Sequence, residues 1–156
     1  MKFVYIYIFM SLNKNTGILI DRAINELRTG RPIVLGEKGN YWIFYNIEHA
    51  KKSIINQFKI IQDKETYLLI TKQKAKQLSP NKLNSNIFFQ VSSNFNHSKF
   101  QDLFLNPANK TNRLNLKNLN LTKSKLFHNY ALELSKNAKL IPCLLYTSDA
   151  ADESSS

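Results

Sequence analysis

The sequence has few of the residues that build disulfide frameworks, metal sites and membrane spans. Its 156 residues include one cysteine and three histidines, and neither an HxxxH nor an HExxH pattern occurs. A single cysteine excludes a disulfide framework and a cysteine-rich zinc module. The longest apolar run, residues 3–10, is too short to span a bilayer and makes a poor signal peptide, because no small-residue cleavage site follows it. We therefore expect a cytoplasmic protein with no membrane segment.

Arginine is also scarce, and the basic charge of the chain comes from lysine. There are 18 lysines, 4 arginines and 11 acidic residues, which gives a formal net charge of +11. Nucleic-acid readout favours arginine, whose planar guanidinium binds phosphates and bases through two hydrogen bonds. The lysines are scattered, and their densest run, Lys72, Lys74 and Lys76, is short. A solvated lysine-rich surface is therefore favoured, with a small nucleic-acid-binding domain as the alternative.

The C-terminal fourteen residues differ in character from the rest of the chain. Residues 143–156 carry three acidic and no basic side chains, whereas residues 1–142 carry 22 basic and 8 acidic ones. The run CLLYTSDAADE, residues 143–153, resembles the conceptual translation of a transposase sequencing adapter. We therefore expect the natural sequence to run only to Pro142 here, and residues 143–156 to be an artefactual tail without defined contacts. Deleting such a tail should change the free energy of unfolding by at most a few tenths of a kcal/mol.

The hydrophobic pattern predicts a small α/β domain of short strands interleaved with helices. Hydrophobic residues make up 43% of the chain, which is enough for a packed core. Residues 1–17 precede the first clear pattern and are predicted to be an N-terminal extension, with Met10 as an alternative start to Met1. The α/β domain is predicted over 18–105. A connector and a C-terminal linker helix are predicted over 106–142.

Capping and turn residues set the predicted element boundaries. Helices are predicted at 21–29, 47–61, 72–78, 98–105 and 122–137, and strands at 33–35, 41–45, 67–70 and 87–91. Asn46, Thr71 and Thr122 are predicted helix caps. The linker helix has an apolar stripe of Leu126, Tyr130 and Leu134, which we expect to be partly exposed. The predicted core consists of Ile24, Leu27, Ile33, Val34, Ile54, Phe58, Leu68 and Ile70.

Three stretches resemble the N-terminal domain of GTP cyclohydrolase II of the alphaproteobacterial type. They read DRAINELRTGRPIVL over 21–35, YLLITKQKAKQL over 67–78 and ALELSKNAKLIP over 131–142. The first two also resemble, the second in degenerate form, 3,4-dihydroxy-2-butanone 4-phosphate synthase. The third stretch favours the cyclohydrolase family, where such a helix links the N-terminal domain to the cyclohydrolase domain. The resemblance implies a noncatalytic domain in riboflavin biosynthesis, partnered by a C-terminal cyclohydrolase domain, and leaves a homodimer open. A butanone phosphate synthase that is active through an unusual site is the alternative within this resemblance.

The resemblance also implies where the chemistry lies. The synthase needs several carboxylates after its first strand to bind a divalent metal, but this sequence has only Glu37 there, beside Lys38. The cyclohydrolase holds zinc through three cysteines, and residues 1–142 contain none. We therefore predict no catalytic, cofactor-binding or metal-binding residue in this fragment, and expect zinc in the cyclohydrolase domain. The parent enzyme would hydrolyse GTP to a diaminopyrimidine ribosyl phosphate, formate and pyrophosphate.

The remaining chemistry-bearing residues are interpreted as structural. The three histidines are far apart in sequence, which favours structural or surface roles: His49, His97 and His128. Two glycines favour a hairpin turn over a phosphate loop, because no third glycine and no helix start follow: Gly36 and Gly39.

Aromatic and arginine side chains have two interpretations each. The aromatic residues could stack a base, but their strand positions favour sheet core: Tyr41, Trp42, Phe44, Tyr45, Phe88 and Phe89. The arginines near the first turn could hold a phosphate, but helix capping and surface ion pairs are favoured: Arg22, Arg28 and Arg31.

Overall fold

The computed structural model describes residues 4–7, 14–48, 66–78, 84–91 and 119–148. Over these ranges the chain forms three helices and one mixed sheet, which confirms the predicted small α/β domain. The strands are β1 (Val4–Tyr7), β2 (Ile33–Glu37), β3 (Asn40–Asn46), β4 (Thr66–Ile70), β5 (Ile87–Val91), β6 (Thr122–Lys123) and β7 (Cys143–Ser148). The helices are α1 (Lys14–Arg28), α2 (Lys72–Leu78) and α3 (Leu126–Asn137).

The strands lie in the order β1-β2-β3-β7-β4-β5-β6. Among the described strand pairs only β1–β2 is parallel, and α1 lies between its two strands along the chain. The β2–β3 hairpin closes through Lys38 and Gly39, whose φ angles of 49° and 82° are both positive. Such a two-residue turn matches the right-handed twist of the strands, and glycine enters it without steric cost. The predicted hairpin is confirmed.

Apolar side chains cover both faces of the sheet. On one face α1 and α3 pack through buried residues that include Ala23, Leu27, Ala131 and Leu132. On the other face Ala75 of α2 joins a cluster of strand residues. Five predicted core residues are buried: Leu27, Ile33, Val34, Leu68 and Ile70. Ile24 is half-buried, while Ile54 and Phe58 lie outside the described residues, as do the predicted helix at 98–105 and most of the predicted helix at 47–61.

The N-terminal part of the chain differs from the prediction of an extension over 1–17. Val4–Tyr7 pairs with β2, and α1 begins at Lys14 rather than at Asp21. The first four residues of the helix read KNTG and carry no apolar spacing that would reveal it, and Gly17 is accommodated there at an exposed position. These residues therefore belong to the domain.

The start of the linker helix also differs from the prediction. Thr122 does not cap α3, because it pairs with Phe88 in the short edge strand β6. The helix begins at Leu126, and its buried face includes Phe127, Ala131 and Leu134. Leu126 and Tyr130 of the predicted stripe are exposed, at 57% and 46%. The buried face of α3 therefore lies about one residue further along the helix than the predicted apolar stripe.

The prediction that residues 143–156 make no defined contacts is wrong over β7. Cys143–Ser148 lies between β3 and β4 and pairs antiparallel with both. Residues 143–147 are all buried, and their apolar side chains alternate between the two faces of the sheet. The prediction treated residues 143–156 as one acidic tail. The acidic residues begin only at Asp149, and the six residues after Pro142 are β-forming. Deleting β7 would therefore remove the centre of the sheet rather than a loose terminus.

Candidate functional site

An aromatic cluster surrounds His128 on the face of the sheet that α1 and α3 cover. The centroid of the His128 ring lies 3.9 Å from that of Phe127, 4.4 Å from Phe88 and 4.8 Å from Tyr146. Phe127 in turn stacks on Trp42, with centroids 3.8 Å apart and planes 8° from parallel. The cluster joins α3 to β3, β5 and β7. Sequence analysis predicted Trp42 and Phe88 to be sheet core, but it assigned Tyr146 to a tail without contacts and predicted no aromatic cluster around His128.

His128 is held as a neutral imidazole. Its side chain is fully buried, and the burial, with a smaller contribution from the charge of Lys125, lowers its pKa to about 3. Its Nδ1 atom accepts a hydrogen bond of 2.8 Å from the backbone N–H of Lys125. Because Nδ1 accepts, the proton of the neutral ring lies on Nε2. Within the described part of the chain, this Nε2 has no hydrogen-bond partner.

This tautomer limits what His128 can do chemically. A metal ion bound at Nε2 would require the ring proton on Nδ1, where it would face the Lys125 N–H. A base with a pKa of about 3 is also too weak for proton transfer near neutral pH. His128 instead closes the first turn of α3, in the way that an acidic side chain does in a capping box.

A second polar group joins the end of β3 to the segment between α3 and β7. The buried Asn46 side chain donates through Nδ2 to the carbonyl of Ile141 at 2.8 Å and to Oγ of Ser135 at 3.2 Å. Its Oδ1 accepts from the backbone N–H of Glu48. The Glu48 carboxylate in turn accepts from the N–H of Ile141 at 2.7 Å. We call Asn46, Glu48, Ser135 and Ile141 the polar joint.

The polar joint was not predictable from the sequence. Asn46 and Ser135 are 89 residues apart, and no spacing rule connects them. Asn46 was predicted to cap a following helix; its bond to the Glu48 N–H shows the local turn, and the helix positions beyond Glu48 lie outside the described residues.

The second helix is capped as predicted, and it lies near the cysteine. Thr71 Oγ1 accepts from the Lys74 N–H at 3.3 Å, which confirms the predicted N-cap. Cys143 is fully buried, and this burial raises the pKa of its thiol. Burial lowers the pKa of Lys74, an effect that the nearby thiol opposes. A thiol that stays protonated is a poor nucleophile and a poor metal ligand.

The remaining candidates lie in separate places. Glu37 ends β2 at the hairpin turn beside Lys38. Arg28 donates through Nε to the carbonyl of Ala138 at 3.5 Å, and Arg31 pairs with Glu26 at 3.4 Å. Two of the three arginines thus make contacts within the fold.

The other candidate residues do not converge on a site either. Arg22 is exposed on α1, and Gly36 is buried in β2. Phe44, Tyr45 and Phe89 are buried strand residues, while Tyr41 and Phe88 are half-buried. His49 and His97 lie outside the described residues. Within the described ranges, no three His, Cys, Asp or Glu side chains lie close enough together to hold a metal ion.

Comparison with known proteins gives no family assignment. No protein-family model matches the chain, and no curated protein matches it. Among the helices of the described ranges, none has the length and apolar character needed to cross a membrane.

Proposed function

We propose that this chain is the noncatalytic N-terminal domain of a GTP cyclohydrolase II-like enzyme, acting in the cytoplasm as an accessory or assembly module in riboflavin biosynthesis. The proposal comes from the resemblance of three sequence stretches. The observation that supports it most is that all three stretches serve the fold rather than a reactive centre. The first supplies α1 and β2, the second β4 and α2, and the third the end of α3 and its connection to β7.

Contacts between the first and third stretches support a scaffold role. Arg28 of the first stretch donates to the carbonyl of Ala138 in the third. Leu27 and Ala131 share one buried cluster. The helix that the resemblance describes as a linker is therefore docked on this domain along its whole buried face. Any domain attached after it would be held at a defined place rather than on a flexible tether.

The exposed part of α3 supports an assembly role. Leu126 and Tyr130 are large, largely exposed side chains one turn apart on the same helix. Large exposed apolar groups of this kind often mark contact surfaces. In the proposed parent enzyme, they would face the cyclohydrolase domain or a second copy of this chain.

The hairpin turn supports the noncatalytic part of the proposal. Divalent cations need several clustered oxygen ligands, and the β2–β3 turn offers one carboxylate, that of Glu37, which Lys38 follows in sequence. His128 is buried with its ring proton on Nε2, and Cys143 is buried with its thiol protonated, so neither side chain is set up to react. A butanone phosphate synthase activity would therefore need residues other than these.

Reading the genomic DNA past codon 142 tests the proposed family. We expect an open frame that encodes three closely spaced cysteines, because the cyclohydrolase zinc needs them. A frame that encodes a stop codon or an unrelated domain would contradict the proposal.

Activity assays test the noncatalytic assignment separately. The purified chain should release no formate from GTP with added zinc, and should not convert ribulose 5-phosphate with magnesium. Glu37→Gln is the informative variant, and Glu26→Gln, a carboxylate on α1 paired with Arg31, is its matched control. Turnover that is lost in Glu37→Gln and kept in Glu26→Gln would overturn the assignment.

A further inference from the structure

Among the strands of the described ranges, the two halves of the sheet meet only through β7. Strands β3 and β4 pair with β7 and not with each other, so they lie two inter-strand spacings apart, about 10 Å. Leu145 faces Tyr45 on one side and Leu68 on the other, and Tyr146 faces Phe44 and Tyr67. We call the space between β3 and β4 the acceptor gap. Without a strand in it, both β3 and β4 would expose an unpaired edge in the middle of the domain.

The acceptor gap is apolar on both faces. Cys143 and Leu145 belong to the cluster on the α2 side, and Leu144 and Tyr146 to the cluster under α1 and α3. A strand buried on both faces needs apolar residues at successive positions, as this one has. Its backbone hydrogen bonds run to β3 and β4 and do not depend on side-chain identity. The requirement is thus for an extended segment of about six residues whose first four are apolar.

The entrance to the acceptor gap is built from residues before Pro142. The polar joint holds both backbone groups of Ile141: its N–H bonds to Glu48 and its carbonyl to Asn46. One residue beyond Pro142, the Cys143 carbonyl accepts from the N–H of Ile47 at 3.1 Å. The chain that leaves α3 is therefore aimed into the gap by side chains that lie in β3, the turn after it and α3.

We propose that the acceptor gap is a strand-binding site, encoded by β3, β4 and the polar joint, that accepts whichever extended apolar segment follows Pro142. The adapter-like residues Cys143–Ser148 occupy it because they are β-forming and the first four of them are apolar. Under the proposed function, on which this part rests, the first six residues of the natural continuation form the central strand of this domain. The cyclohydrolase domain would then follow from the far end of that strand.

Strand replacement in the full chain tests the site. One variant carries C143V, L144I, L145V and Y146F, and a second carries C143A, L144V, L145I and Y146F, so that every apolar identity changes while the pattern stays. We expect both the urea midpoint and the protection of β3 and β4 amides against hydrogen exchange to be retained in at least one of them. Loss of protection in both variants would show that the gap demands the original side chains and would overturn the proposal.

A backbone perturbation supplies the opposite test. Leu145→Pro removes a donor at the centre of the gap, and we expect protection of the β3 and β4 amides to be lost. Lys123→Pro, in the exposed edge strand β6, is the matched control and should leave that protection in place. Unchanged protection in Leu145→Pro would show that the two sheet halves do not need a strand between them, and would overturn the proposal.

The genomic residues distinguish this proposal from the proposed function. Installing the six residues encoded after codon 142 in place of Cys143–Ser148 should keep the melting temperature or raise it. If the chain unfolds on this exchange, the natural residues do not form the central strand and the strand proposal fails. The proposed cyclohydrolase II family would not be affected by that result. Absence of a cyclohydrolase downstream, with both replacement variants folded, would refute the family and leave the strand-binding site standing.

Discussion

Acidification should destabilise this protein through His128. The ring is fully buried, and its pKa is lowered from 6.5 to about 3, mainly by burial and further by the charge of Lys125. Between these two values the unfolded chain binds a proton that the folded chain does not. The free energy of unfolding therefore rises with pH in this window and falls as the pH drops below 6.5.

The size of the effect follows from the width of the window. Each pKa unit corresponds to about 1.4 kcal/mol, so the stability lost between pH 7 and pH 5 through this group is about 2 kcal/mol. That is a large share of the stability of a small domain. The loss should continue down to about pH 3, where the folded ring also becomes protonated.

Urea unfolding of the unmodified chain and of His128→Phe, measured from pH 4 to pH 7, isolates this contribution. Phe keeps a planar ring in the aromatic cluster and cannot titrate, while all carboxylates are common to both proteins. Between pH 7 and pH 5 the unmodified chain should lose about 2 kcal/mol more unfolding free energy than His128→Phe does. Parallel stability curves would refute the argument, and so would a His128 ring proton resonance that titrates near pH 6.

Three further predictions concern the core, the polar joint and the glycines. Leu27→Ala should cost about 2–5 kcal/mol, because the side chain is fully buried between α1 and the sheet, and an unchanged urea midpoint would contradict this. Asn46→Ala should cost about 1–3 kcal/mol by leaving buried polar groups unpaired, whereas Asn25→Ala, at an exposed position of α1, should change stability by less than about 0.5 kcal/mol. Gly39→Ala should lower the melting temperature, because φ is 82° there, and Gly17→Ala should raise it, because the added methyl group meets open space in a helix; equal effects would contradict the backbone argument.

Local patterns determined much of the fold. Strands β4 and β5 and the helix α2 lie where the apolar residues and the Thr71 cap predicted them. The hairpin was predicted from the glycine-containing turn between two β-forming runs, although Gly39 lies in the turn and Gly36 in β2. These features depend on neighbours within a few positions along the chain, so they can be read without knowledge of the tertiary structure.

The candidate site was less accessible to sequence analysis. A lone histidine at position 128 gives no sign of burial, because the aromatic residues around it come from three separate strands and its own helix. The polar joint joins residues about ninety positions apart. Contacts at such separations leave no periodic signal in one sequence.

The six residues after Pro142 show most clearly what only the tertiary structure decided. By sequence, their adapter-like identity and the acidic residues beyond them indicated a loose tail. In the fold, β3 and β4 each require a hydrogen-bonding partner, the polar joint directs the chain between them, and two apolar clusters need side chains to complete them. Composition and pattern determined that this chain folds as a small α/β domain. The place of each strand in the sheet was decided by long-range pairing, since a backbone edge buried in the middle of a domain must be satisfied by whichever extended segment can reach it.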